Sequence, residues 1–174
     1  LSFDNVTLKG KASLDTGRKT MSLSSLEARF PGISPLFISG SFRQGKTPAA
    51  EARLETRGLD LPAVRALAAP FIPERLAGWD LGGAADLSLE ARRPSASGQD
   101  WGFAGALALA QANFNDPDFT IAGEGINPAL KFEGEYDASG GLSFKGDLAI
   151  SQGESLWKAV FIPWNEHPLR ATVS

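Results

Sequence analysis

Polar and apolar residues alternate with a period of two along most of this chain, the pattern of strands that show one face to a core and one to water. The clearest run follows Gly78. Trp79, Leu81, Gly83, Ala85, Leu87, Leu89 and Ala91 fall on one side, and Asp80, Gly82, Ala84, Asp86, Ser88, Glu90 and Arg92 on the other. Two later runs make the strongest hairpin of the sequence. Leu130, Phe132, Gly134 and Tyr136 alternate with charged residues up to the turn Ala138-Ser139-Gly140-Gly141, and Leu142, Phe144, Gly146, Leu148 and Ile150 resume the pattern.

The first 57 residues read as a meander. Ser2–Leu8 and Lys11–Leu14 are two short stretches before a turn at Asp15–Lys19. Thr20–Phe30 alternates but changes phase at Ser24-Ser25, which predicts a bulge or a break. Pro31-Gly32 and Ser34-Pro35 interrupt the pattern, Leu36–Arg43 resumes it, and 44–48 turns again. Ala50, Ala52, Leu54 and Thr56 then face away from Glu51, Arg53, Glu55 and Arg57. In Trp101–Leu109 the large residues alternate with small ones, so that strand is expected to be covered on both faces. Asp116-Pro117-Asp118 and Asn127-Pro128 mark turns around a short Gly-containing strand, Ile121–Ile126. Leu156–Trp164 is apolar and aromatic, broken by Pro163, and Leu169–Val173 is a last strand.

One stretch has a helical period. Asp60 or Leu61 caps it, Pro62 stands in its first turn, and Val64, Leu67, Ala68 and Phe71 form one apolar side. Pro70 and Pro73 leave it roughly two turns, too short to stand alone in water, so it must dock as a plug or cap at a sheet edge or groove end. The sheet is expected to bend just after it, at Gly82 and Gly83.

Composition narrows the classes. The 174 residues are 43% hydrophobic and 21% charged, which allows one core or one elongated sheet and excludes wholesale disorder. A net charge of -3, with basic and acidic residues alternating, argues against nucleic acid. The chain has no cysteine, so it has no disulfide framework, thiolate metal site or cysteine nucleophile. It starts mid-pattern and reads as a piece of a longer protein whose anchor lies elsewhere. The whole of 1–174 reads as one β-rich unit, with Arg93–Asp100 the one plausible seam and mobile tip.

No motif carries chemistry. Gly123-Glu124-Gly125 lacks the following helix of a phosphate loop, and His167, the single histidine, stands in a polar loop without a nucleophile elbow. Asp116 and Asp118 offer too few oxygens for calcium. Trp157, Phe161 and Trp164 form either an aromatic patch or core. No catalytic residue, no metal ligand and no cofactor is assigned, and the protein is expected not to be an enzyme. The strands are mostly too short for an outer-membrane barrel, leaving a closed sandwich or an open or rolled sheet with a greasy inner groove.

Gly58-Leu59-Asp60-Leu61, the short Ala/Leu helix, the prolines, and then Leu76-x-Gly78-Trp79-x-Leu81-x-Gly83-x-Ala85-x-Leu87-x-Leu89 resemble the AsmA-like superfamily of Gram-negative envelopes, which includes the TamB, YhdP and YdbH types. Ala112–Pro117 and Ile121–Ile126 resemble strands of the YdbH type. The resemblance covers about the middle two-thirds of the chain as a pattern of composition and spacing.

It implies a mainly β, elongated, curled antiparallel sheet with one short helix. It also implies a periplasmic protein with an inner-membrane anchor outside this chain, membranes at either end of the full-length protein, and envelope protein partners. The partner it implies on the sheet itself is phospholipid, whose acyl chains would run along the apolar inner face. From strand phase, the expected lipid-binding lining is Leu87, Leu89, Phe103, Leu107, Phe132, Phe144 and Leu148. A closed β-sandwich scaffold without a lipid ligand is the alternative.

Overall fold

The computed structural model describes residues 6–46, 48–74, 78–93, 100–137 and 139–173. Expectations resting on Leu1, Ser2, Phe3, Thr47, Leu76, residues 94–99 and Ala138 lie outside the described residues.

Among the described residues the fold is one open antiparallel sheet of twelve strands with one short α-helix. β1 (Thr7–Asp15), β2 (Thr20–Phe30), β3 (Ile33–Arg43) and β4 (Ala49–Asp60) form the expected meander, each paired with the next. β5 (Asp80–Arg93) pairs with β4, and β6 (Trp101–Asn115) pairs with β5 along nearly its whole length.

At β6 the sheet forks. Its Ala112–Asn115 end pairs with β7 (Ile121–Ile126), which continues to β10 (Glu154–Trp157) and β11 (Val160–Pro163). Its Trp101–Ala108 end pairs with β8 (Pro128–Tyr136), which continues to β9 (Leu142–Ile150) and β12 (Leu169–Val173). Where β6 changes neighbours, Gln111 takes a φ of 51° and its backbone N–H donates to the Asn127 side chain at 2.7 Å. Asn113 in turn accepts from the Gly125 N–H at 2.8 Å, so side chains satisfy backbone groups that the ladder leaves free at the split.

Bulges cross the sheet on a diagonal. Ser34 and Pro35 sit in the β2/β3 irregularity, Gly58 (φ 60°) in that of β4/β5, and Gly83 (φ 100°) in that of β5/β6. The Ser34 hydroxyl donates to the Gly58 carbonyl at 2.6 Å, and the Gly58 N–H donates to Asp86 at 2.7 Å. A bulge adds twist and bends its strand. At Gly82 and Gly83, where a bend is expected, the ladder carries the β5/β6 register shift. The phase change at Ser24-Ser25 is likewise a register shift, between Leu23 and Leu26.

Several expectations are corrected. Lys11–Leu14 does not form a stretch separate from Leu8: β1 is a single strand through Gly10. Ser34-Pro35 does not break β3 but bulges within it. β6 is not covered on both faces, because the sheet is a single layer over most of its extent and Ala108 and Ala110 are exposed on the small-residue side. The closed two-sheet core of a sandwich is absent among the described residues, whose buried apolar side chains are Ala28, Ala85, Ala112 and Ile126.

α1 (Leu61–Ala68) begins as expected: Asp60 is the N-cap and its carboxylate accepts from the Ala63 N–H at 2.7 Å. The α-helix ends at Ala68 after about two turns, as expected, and a 3-10 turn over Ala69–Phe71 follows it. Phe71 is not part of the docked side; it is 76% exposed. The helix packs on β5 and β4, interior strands rather than an edge. Nearby Thr56 and Ala85 are buried, and the Thr56 hydroxyl has no hydrogen-bond partner there.

Candidate apolar binding face

Residues directly opposite one another in an antiparallel ladder point to the same side. The registers therefore define rows across the sheet. One row runs without a polar residue through nine strands: Gly10, Leu26, Ile38, Leu54, Leu89, Gly105, Phe132, Gly146 and Val173. At about 4.8 Å per strand it spans roughly 38 Å. The next row toward the Arg93 end of β5 is Ala12, Leu23, Gly40, Ala52, Ala91, Phe103, Gly134 and Phe144. On the other side stand Thr56, Leu87, Leu107, Leu130, Leu148 and Ala171.

All of the expected lining residues belong to these rows. Leu87, Leu107 and Leu148 share one, Leu89 and Phe132 the second, Phe103 and Phe144 the third. The structure brings them onto one face. Periodicity within single strands did not identify Leu26, Ile38 and Leu54, which extend the same surface over β2 to β4. Their alternation was visible, but the register that lines them up with Leu89 is a tertiary fact.

The aromatic side chains lie flat on this face because glycines receive them. The Phe132 ring covers Gly105, the Phe103 ring covers Gly134, and Phe144 lies against Gly146. Phe132 and Phe144 stack with centroids 6.1 Å apart. Glycine across from an aromatic residue gives the ring room and lets it shield the neighbouring backbone. Leu89 and Phe144 remain 38% and 41% exposed, with no second layer above them among the described residues.

The opposite face is wet and sign-mixed. Glu51 stands opposite Arg92 and Arg53 opposite Glu90, while Lys131 opposes Asp147 and Glu133 opposes Lys145. Arg53 also pairs along its own strand with Glu55 at 2.8 Å. Phe37 is a large apolar residue on this face, opposite Glu27 and Glu55. Over β6 this face has a floor of Gly102 and Ala104, and a cleft of about 640 Å³ opens there between Arg92, Glu133, Glu135 and Lys145.

Trp157, Phe161 and Trp164 form neither a single patch nor a core. Leu156 opposes Phe161 while Trp157 opposes Val160, so Trp157 and Phe161 point to opposite faces and are 50% and 56% exposed. The Trp164 indole N–H donates to the buried Ser155 hydroxyl at 3.1 Å. His167 is exposed, its backbone N–H bonded to the Pro163 carbonyl at 3.0 Å.

Asp116 accepts from the Thr120 and Ile121 N–H groups and the Thr120 hydroxyl, which ties its carboxylate into a closed turn. Among the described residues no group of three or more His, Asp or Glu side chains is placed to hold a metal ion, and no helix is long and apolar enough to cross a membrane. No protein-family model, curated protein or solved structure matches the chain.

Proposed function

We propose that this chain is a periplasmic lipid-transport segment that holds phospholipid acyl chains on its apolar face, between the inner and outer membranes of a Gram-negative envelope. The observation that supports this reading is the nine-strand row through Leu54, Leu89 and Phe132, apolar throughout and without a covering layer. Soluble proteins rarely leave so wide an apolar surface in water unless something binds there. Each methylene such a face takes from water is worth about 0.8 kcal/mol. Rows of Leu, Phe, Ala and Gly, interrupted by Thr56, contact acyl chains without choosing a length. Headgroups stay at the wet margin, and passage along the rows needs no catalytic group and no cofactor.

The test is native mass spectrometry of lipid copurified from an envelope extract. Leu89→Asp and Phe144→Asp place a charge on the apolar face at partly exposed positions, where circular dichroism should remain that of the parent protein. Bound phospholipid is expected in the parent and is expected to fall at least tenfold in each variant. A parent protein free of lipid, or unchanged lipid with both charges in place, overturns the proposal.

A further inference from the structure

No residue in the three rows through Leu87, Leu89 and Phe103 is charged. The next row outward runs through Leu14, Met21, Phe42 and Ala50 to Arg93, where β5 ends. Trp101 and Tyr136, opposed across β6 and β8, keep the same phase. Among the described residues of these four rows Arg93 is the single charge, and it stands at their outer margin.

Two more arginines meet it there. Arg43 ends β3 and Arg92 precedes Arg93 in β5. All three line one cleft of about 460 Å³, together with Ser41 and Glu51. Arg43, Ser41, Glu51 and Arg92 belong to the wet phase, whereas Ala50 and Arg93 belong to the apolar one. The cleft therefore lies where the two phases meet at the strand ends. The turns after β1 and β3 add Lys19 and Lys46 to the same end, joined by the Gln44 N–H donating to the Lys19 carbonyl at 2.9 Å.

Three guanidinium groups face one carboxylate in this cleft, so a compact anion among them relieves their mutual repulsion. The neighbouring acids fall to Arg92: Glu51 stands opposite it and Glu90 lies 3.6 Å away. The Arg93 Nε is shielded from water and has no hydrogen-bond partner. A guanidinium left short of acceptors is completed by an oxygen-rich anion, and its planar fork matches two phosphate oxygens. A carboxylate has only two oxygens in one plane. A phosphate group directs its oxygens to several arginines at once.

We propose that this rim cleft is a phosphate-binding site, with Arg43, Arg92 and Arg93 as its cations and the Ser41 hydroxyl as a neutral donor. The phosphate is that of a lipid headgroup whose acyl chains lie on the apolar rows, or a free phosphate. The cleft stands without the lipid reading, and only the first source rests on it.

Isothermal titration calorimetry tests the site with dihexanoyl phosphatidic acid below its micelle concentration, inorganic phosphate, and uncharged dihexanoylglycerol. Phosphatidic acid is expected to bind about tenfold or more tightly than dihexanoylglycerol. Arg93→Gln and Arg43→Gln are each expected to weaken it about tenfold. Arg29→Gln removes the same charge at the far end of β2 and is expected to leave binding unchanged. Inorganic phosphate bound as tightly as phosphatidic acid, and lost in Arg93→Gln, identifies free phosphate as the occupant. Inorganic phosphate bound about tenfold or more weakly identifies the headgroup. No binding of either phosphate probe, phosphatidic acid held no tighter than dihexanoylglycerol, full binding in Arg93→Gln and Arg43→Gln, or an equal loss in Arg29→Gln each overturns the proposal. Circular dichroism of each variant separates a lost site from a lost fold. Inorganic phosphate has no acyl chain, so phosphate binding by a protein that copurifies without lipid, and copurified lipid without phosphate binding, tell the two readings apart.

Discussion

The two branches that leave β6 are built on opposite rules. In β8, β9 and β12 every large apolar side chain points one way and nearly every charge the other. In β7, β10 and β11 both faces are apolar: Ile121, Trp157 and Val160 on one, Ala122, Leu156 and Phe161 on the other. The first branch sets Phe132 over Gly105 of β6 and Phe144 against Gly146 of its own strand. The second leaves Trp157, Val160 and Phe161 half or more exposed. Strict alternation thus keeps one face of the long branch greasy and the other wet, whereas the short branch adds apolar surface on both of its faces.

The glycines offer the strongest way to break this comparison. A Cβ on Gly134 would run into the Ser143 carbonyl oxygen and the Phe103 ring. Gly134→Ala is expected to cost about 3 kcal/mol in urea unfolding, because neither the strand nor a ring pinned by its neighbours gives way cheaply. Gly125, in β7, would place a Cβ at ordinary contact distance, 3.7 Å, from the Gln111 side-chain oxygen, so its constraint is its φ of 60°. Gly125→Ala is expected to cost about 1–2 kcal/mol, the strain of a left-handed residue. A larger loss at Gly125 than at Gly134 would mean that the short branch is the tighter of the two.

A smaller contrast is expected from the rings. Phe132 is partly buried, covers Gly105 and stacks on Phe144. Phe132→Ala should cost about 2 kcal/mol. Phe161, mostly in water, should cost under about 0.5 kcal/mol when truncated. Equal losses in denaturant midpoints would show that the exposed ring is packed more firmly than its solvent contact implies.

These pairs also mark where the sequence was readable. Which residues of a strand share a face is a local property, and the alternation of Leu87 with Ser88 or Phe132 with Glu133 carries it. The seven expected lining residues share one face for that reason. Which strand lies beside which is not local. β8 pairs with β6 past the intervening β7, and the fork depends on Gln111 in a left-handed conformation capped by Asn127, neither of which has a sequence signature. The alternation of large and small residues in β6 pointed to cover on both sides. The small residues instead sit under long charged neighbours, Arg92 and Glu133, which wall a wet cleft. The apolar run Leu156–Trp164 has no phase at all, so its folding into a hairpin with divergent faces was not foreseeable from period alone.

Each branch has an aspartate turn, and acid distinguishes them most finely. Asp116 opens the way to β7: the Ile121 N–H first, then the Thr120 hydroxyl and N–H, stabilise its carboxylate and hold its pKa below the ordinary Asp value. Asp137 closes β8: the Ser139 hydroxyl first, then the Gly141 and Ser139 N–H groups, do the same. A carboxylate whose pKa is lowered by folding binds its proton more readily in the unfolded chain. Its contribution is therefore complete at neutral pH and is lost as pH falls through the ordinary Asp value of about 3.9 toward the lower native one. Asp116→Asn and Asp137→Asn should each lower stability at pH 7 and flatten its fall between about pH 5 and pH 2, as read from urea midpoints. The flattening should be greater for Asp116, which is buried in its turn, than for Asp137, which stands in water. The reverse order would make the exposed turn of the alternating hairpin the more demanding of the two, and would place the anchoring of the sheet in the branch that carries its greasy face.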